Sequence, residues 1–185
     1  LEIADALGQP LDRSIPLYVL GRIALSVGDR AMARRYFDET LAVWRATGDT
    51  RSAPWALAGL ATVAVEEGNR GEACDFLRQA FALSAQLGSL MGLVYALEAA
   101  AMWAAAMQRF ESAVCLAGAA AGVRAALEHP ISTPERAQIE RWLESARASL
   151  GPTATEDALT RGNAWSVDVA VDHVRTLGCA DRWRS

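Results

Sequence analysis

GDRAMARRYFDETLAVWRATGD, residues 28–49, opens and closes on Gly-Asp around an amphipathic stretch. Forty places on, GNRGEACDFLRQAFALSAQLGS, residues 68–89, has the same layout. The offset holds beyond these two segments. Leu17, Leu57 and Leu97 superimpose, as do Leu20, Leu60 and Ala100. Gly21, Ala61 and Ala101 fall together, then Ala24, Ala64 and Ala104, then Ala33, Ala73 and Ala113. Phe37 meets Leu77, Leu41 meets Phe81, Gly28 aligns with Gly68, and Gly48 with Gly88. Few of these places are identical, but residue size repeats, and size is what close packing selects.

Inside a unit the spacing is helical. Leu17, Leu20, Gly21 and Ala24 follow i, i+3, i+4, i+7, and Ala33, Phe37 and Leu41 mark a second stripe with Tyr36 beside it. Gly28 and Gly68 fall where the first helix of a unit should stop, and Gly48 and Gly88 where the second should, each able to take a left-handed cap. Small residues at the Gly21/Ala61/Ala101 and Ala33/Ala73/Ala113 places let paired backbones approach closely. Each unit is therefore expected to be a helical hairpin of about forty residues. One such hairpin cannot bury its apolar face alone, so the units must stack.

These positions carry a resemblance. Leu20-Gly21, Ala24, Ala33 and Phe37 stand at the spacing of the tetratricopeptide repeat, and Leu60-Ala61, Ala64, Ala73 and Leu77 follow suit. The unit exceeds the usual length of about 34 residues and lacks the motif's terminal Pro, which suits longer-helix relatives. From Gly28 to about Leu177, some four fifths of the chain, the text resembles the C-terminal repeat region of bacterial LuxR-type transcriptional regulators and related signal-transduction ATPases. The stretches ALAGLATVAVEEGNRGEACDFL and CLAGAAAGVRAALEHPISTPERAQIERWLESARASLG carry it, followed by SVDVAVDHVRTL. The resemblance implies a bacterial signalling protein with nucleotide-binding machinery upstream and an output domain, often a DNA-binding helix-turn-helix.

The C-terminal part breaks the period. Ser132-Thr133-Pro134-Glu135 combines N-cap candidates, a helix-opening proline and an early acid, and that helix should run to Gly151-Pro152. A short helix near 155–161 and another from Ser166 to Leu177 should follow, stopped by Gly178. Atypical last helices are what a solenoid needs to cover its final apolar face. The expected fold is all-α: a tetratricopeptide-like alpha-alpha superhelix, a solenoid of helical hairpins with C-terminal capping helices. Residues 1–13 would be the end of a preceding repeat or a lead-in, 14–130 three hairpins, 131–178 the cap and 179–185 a frayed tail. The start at Leu1 without an initiator Met is expected of a segment or processed product of a longer chain.

Composition narrows the chemistry. All 18 basic residues are Arg, so neither a GxxxxGK[ST] phosphate loop nor a Schiff-base lysine can exist in this sequence. The net charge of −4 argues against this segment gripping a nucleic acid, and the dispersed Arg residues read mostly as a solvated face. MGLVYALEAAAMWAAAM, residues 91–107, is Ala-rich with Glu98 near its middle, and reads as a buried helix rather than a membrane span. Cys74, Cys115 and Cys179, an odd number without a CxxC, suggest reduced thiols and a cytoplasmic location, with Cys74 and Cys115 inert and buried.

Catalytic signals are missing. His129 and His173, the only histidines, have no ligand neighbour at i+3 or i+4; His129 belongs to a turn and His173 is expected to face outward. Glu66-Glu67 and Asp38-Glu39 are adjacent and point in different directions on a helix. No catalytic residue, metal site or cofactor is expected. One stripe on the first helices, opposite the Leu/Ala seam, differs in kind. It carries Ile15, Tyr18 and Arg22, then Trp55, Ala58 and Thr62, then Tyr95, Glu98 and Met102. In tetratricopeptide arrays the equivalent face lines the concave groove and touches ligands. Tyr18, Arg22, Trp55, Thr62, Tyr95, Glu98 and Met102 are therefore the candidate partner-binding residues, with simple packing as the rival account.

The expected function is a non-catalytic sensor or protein-interaction module of a larger cytoplasmic regulator. It would bind a protein, a peptide or a small effector, and would contact other domains of the same full-length chain. No membrane is expected as a partner, and homo-oligomerisation is compatible with this role. A free-standing tetratricopeptide adaptor or peptide receptor is the first alternative. A helical enzyme is the second, without a residue cluster to support it.

Overall fold

The computed structural model describes residues 13–48, 50–131 and 133–179. Along them run α1 (Ser14–Ser26), α2 (Arg30–Thr47), α3 (Ala53–Glu66), α4 (Arg70–Leu87) and α5 (Leu90–Ala106). Then come α6 (Phe110–Ala126), α7 (Thr133–Leu150), α8 (Pro152–Asn163), α9 (Val167–Val174) and a π-helical turn, Arg175–Cys179. No strand occurs among the described residues, so the fold is all-α and tetratricopeptide-like. The lead-in over residues 1–12, the N-cap candidate Ser132 and the tail over residues 180–185 lie outside the described residues.

The backbone itself keeps the forty-residue register. Asp29 donates its N–H to the Ala24 carbonyl at 2.9 Å, Asn69 to Ala64 at 2.8 Å and Arg109 to Ala104 at 3.0 Å. Each bond closes the end of a first helix in the manner of a Schellman cap. Gly28 and Gly68 supply the left-handed residue in the first two, with φ of 81° and 78°, and Gln108 supplies it in the third with φ of 60°. Glu128 likewise takes the place of Gly48 and Gly88, at φ 51°. A non-glycine residue there carries a strain of about 1–2 kcal/mol, so the register persists where its glycine signal has gone. Each second helix then starts on a capping side chain. Asp29 accepts from the Met32 N–H at 3.0 Å and Asn69 from that of Glu72 at 3.3 Å.

Two compact units follow, Leu1–Gly92 and Leu93–Ser185. In the first, α1 packs on α2, α2 on α3 and α3 on α4. Between two neighbours, α3 is buried almost all round from Ala53 to Ala64, as its continuous apolar sequence requires. The closest fit is at Phe37, fully buried on α2, whose ring occupies the space left by Gly21 of α1 and Gly59 of α3. A Cβ at either glycine would stand 2.5 Å from that ring. Arg34 of α2 bridges to the next hairpin, holding Glu67 at 2.6 Å and Glu72 at 2.9 Å. One aligned position departs from expectation. Leu20 is only half-buried, although Leu60 and Ala100 are fully buried. Ile15, Val19, Ile23 and Val27 on α1 are exposed. Their register partners include Gly59, which meets Phe37, and Val63, fully buried.

The seam of small residues is as tight as the alignment requires: Ala33, Ala64, Ala73 and Ala113 are all 0 % exposed. Replacing Ala73 with Leu should overpack the α3–α4 hairpin and cost roughly 1–3 kcal/mol in a urea melt. A melt matching the parent would refute the packing described.

In the second unit α6 takes α8 as its main neighbour, with α7 against both. Val114 and Cys115, Leu143 and Ala146, and Ala158 form the core there, with Trp142 and Trp165 packed on it. The α6–α8 crossing depends on glycine. A Cβ on Gly162 would fall on the Cys115 carbonyl oxygen, and one on Gly118 on that of Leu159. The α8 helix is longer than the expected 155–161, because Pro152 opens it within the first turn. The α9 helix starts where expected, with the Ser166 hydroxyl accepting from the Val169 N–H at 3.3 Å, but widens into the π turn after Val174. Cys115 is a buried free thiol; Cys74, expected as an inert reduced thiol, is disulfide-bonded.

Candidate functional site

The first-helix stripe resolves into two groups, one in each unit. In the first, Tyr18 is buried, its ring 5.5 Å from that of Trp55 and 5.9 Å from that of Phe37, centroid to centroid. Arg22, one turn on, donates from Nη1 to the Tyr18 hydroxyl at 2.9 Å. Arg22 and Trp55 are half-buried, so the group presents an aromatic edge and a guanidinium over a packed base. Thr62 lies apart from it, buried, its hydroxyl donating to the Ala58 carbonyl at 3.1 Å.

In the second unit Tyr95, Glu98 and Met102 lie half-buried along α5. A residue outside the stripe joins them. Arg124 of α6, 5 % exposed, donates from Nε and Nη2 to the two Glu98 oxygens at 2.7 and 3.0 Å. Its Nη2 also reaches Glu135 of α7 at 3.5 Å, and its guanidinium carbon stands 5.3 Å from the Tyr95 ring centroid. Met102 meets α7 instead, its sulfur 3.6 Å from the Gln138 side-chain nitrogen. Burial works against the charge on Arg124, but the hydrogen bonds and fields of Glu98 and Glu135 outweigh it and raise its pKa. The Nη1 atom is buried and has no hydrogen-bond partner among the described residues.

Beside this cluster is a cavity of about 420 Å³, within the size range of small-molecule sites. Glu98, Arg124 and Glu128 provide its polar wall; Ala117, Ala121 and Ile139 belong to its apolar one, and the His129–Ile131 turn edges it. Sequence reasoning had Glu98 but missed Arg124, which looked like one more solvated arginine. Nor did it find the cavity, although the signal was there in the alanines of α6.

The remaining sites hold little chemistry. Among the described residues no group of three His, Cys, Asp or Glu side chains is placed to share a metal ion. Nor is any helix among them long and apolar enough to cross a membrane. His173, expected to face outward, is half-buried with its ring 4.8 Å from that of Trp165. Burial there lowers its pKa below the ordinary value of 6.5, against the field of Glu111 and with that of Arg161. The unfolded chain then binds a proton that the folded chain resists, so stability should fall as pH drops through about 6.5 and be regained above it. Melting temperatures from pH 7.5 to 5.5 should show this fall, and His173→Phe should flatten it. An unchanged slope in the variant would remove His173 as the cause.

Tetratricopeptide repeats generally mediate protein–protein interaction, and such helical repeats are typically non-catalytic. No curated protein and no solved structure matches the chain. The tetratricopeptide repeat family model matches residues 12–86, which span the hairpins that close on Phe37 and on the Ala64/Ala73 seam. Over that stretch the chain is a tetratricopeptide-like repeat region.

Proposed function

We propose that this chain is the non-catalytic sensor or protein-interaction segment of a larger bacterial signalling regulator, and that it takes a protein, peptide or effector on the first-helix face. Three hairpins over residues 14–130 would form the array and 131–178 its cap. The observation that carries the reading is the Tyr18–Trp55–Arg22 group. It sets an aromatic edge and a charged fork on the first helices, where the repeat elsewhere keeps Leu and Ala. Aromatic and Arg side chains are the usual anchors of protein interfaces. The LuxR-type resemblance of residues 28–177 supports the regulator context and a cytoplasmic setting.

A displayed library of random peptides selected against the chain tests the face. Enriched peptides should lose about 1–2 kcal/mol of binding on Trp55→Ala or Arg22→Ala. Peptides that bind both variants as they bind the parent would place the working surface elsewhere. Reading the coding sequence upstream of Leu1 tests the context; a nucleotide-binding domain is the expected find.

A further inference from the structure

The cavity of the second unit lies where the forty-residue register drops its large side chains. Phe37 and Leu77 share one register place and are fully buried; Leu41 and Phe81 share the place four residues on, each 3 % exposed. The α6 helix carries Ala117 and Ala121 at these two places, and both line the cavity. Phe37 rests on Gly59, and the register counterpart of Gly59 on α7 is Ile139, another lining residue. The space is thus a seam from which two core side chains have been removed. Such a vacancy is destabilising unless something refills it.

The polar wall says what kind of molecule fits. Arg124 is fixed by Glu98 and Glu135, which leaves its buried Nη1 as the donor not satisfied among the described residues. A buried donor without an acceptor is costly, and a ligand oxygen would relieve it. The acceptor should be uncharged. One guanidinium faces the carboxylates of Glu98, Glu135 and Glu128, so the surroundings are net negative and would repel an anion.

We propose that this cavity binds a small molecule with a chiefly hydrocarbon body, seated in the space left by Ala117 and Ala121, and one uncharged carbonyl oxygen that accepts from Nη1 of Arg124. The site goes beyond the interaction role above. That role rests on the Tyr18–Trp55–Arg22 face, so either reading can fail while the other stands.

Three probes of related skeleton separate the requirements: butyrophenone, with a ketone; butylbenzene, the same carbon frame without it; and 4-phenylbutyrate, with a carboxylate. Binding is followed by backbone and methyl chemical shifts of the full chain. Butyrophenone should saturate one site, shifting Ala117, Ala121 and Ile139 signals. It should bind roughly tenfold tighter than butylbenzene, the scale of a hydrogen bond to a charged group, and 4-phenylbutyrate should bind weakest. Arg124 is too deeply buried for its removal to be informative, so the second arm fills the space instead. Ala117→Leu and Ala121→Leu restore the large residue of the earlier repeats. Each should weaken butyrophenone binding by roughly tenfold or more through steric overlap while leaving the helical spectrum intact. The proposal is overturned if no probe binds saturably up to its solubility, if butylbenzene equals butyrophenone or 4-phenylbutyrate exceeds it, or if both leucine variants bind as the parent does.

Discussion

Replacing Gly162 with Ala should unfold the second compact unit at temperatures where the parent is native. The added Cβ would land on the Cys115 carbonyl oxygen of α6, with the carbonyl carbon and Cα of the same residue close behind. All three atoms are backbone, so no rotamer change can make room. Relief requires α6 and α8 to move apart, and that contact is the main one α6 makes in its unit. Overpacking of this kind costs about 3 kcal/mol or more. In a chain of this length that is a fall of roughly 6–12 °C in melting temperature. Gly28→Ala is the informative control. Nothing lies within 4 Å of its Cβ position, but its φ is 81°, so its cost should stop at the 1–2 kcal/mol or so of left-handed strain. A Gly162→Ala variant no less stable than Gly28→Ala would show that the α6–α8 crossing is looser than described.

Phe37→Ala should be comparably severe in the first unit, costing about 3–5 kcal/mol in a urea melt. Its ring is fully buried and fills the gap between α1 and α3 where two glycines face it. It also supports Tyr18, 5.9 Å away, and through it the Trp55 edge. A double-mutant cycle sharpens the test. Gly59→Ala should be costly beside the intact ring, since its Cβ would lie 2.5 Å from Phe37, and nearly harmless once the ring is gone. A coupling on the order of 1–3 kcal/mol is expected for groups in such contact; additive losses would mean that the glycine is not there to admit the ring.

What the sequence made legible is what a local period can encode. The forty-residue offset placed the first-helix ends, the second-helix starts and the seam alanines, and the same offset recurs in the bonds at Asp29, Asn69 and Arg109. Less legible was anything decided by a partner distant in sequence. Arg124 looks like any helical arginine until Glu98 and Glu135 are brought to it from helices on either side in the chain. Tyr18 and Trp55 were correctly grouped, yet the burial of Tyr18 depends on Phe37 reaching between two helices. His173 was misjudged for the same reason, since Trp165 covers it from before the start of α9. Leu20 shows the converse. A repeat alignment assigns burial by analogy with interior units, and a position at the edge of the described array does not inherit its neighbours' cover. The cavity was readable in principle, because Ala117 and Ala121 fall in line with Phe37/Leu77 and Leu41/Phe81. A matching of residue size looks for agreement, and here the information was in its loss.

The unequal neighbour relations of the two units bear on how quickly each can form. In the first, every extensive contact joins helices consecutive in the chain, so each pairing closes only a short loop and can be gained one step at a time. Low contact order of this kind goes with fast folding. In the second, α6 must wait for α8 to return across the whole of α7. Chain entropy is lost in closing that loop before the Gly118–Gly162 crossing gives anything back. Folding followed in real time should therefore show an early phase that protects the α1–α4 amides and a later one that protects α6 and α8. The late phase would be the interval in which the chain is open to proteolysis and to capture by chaperones.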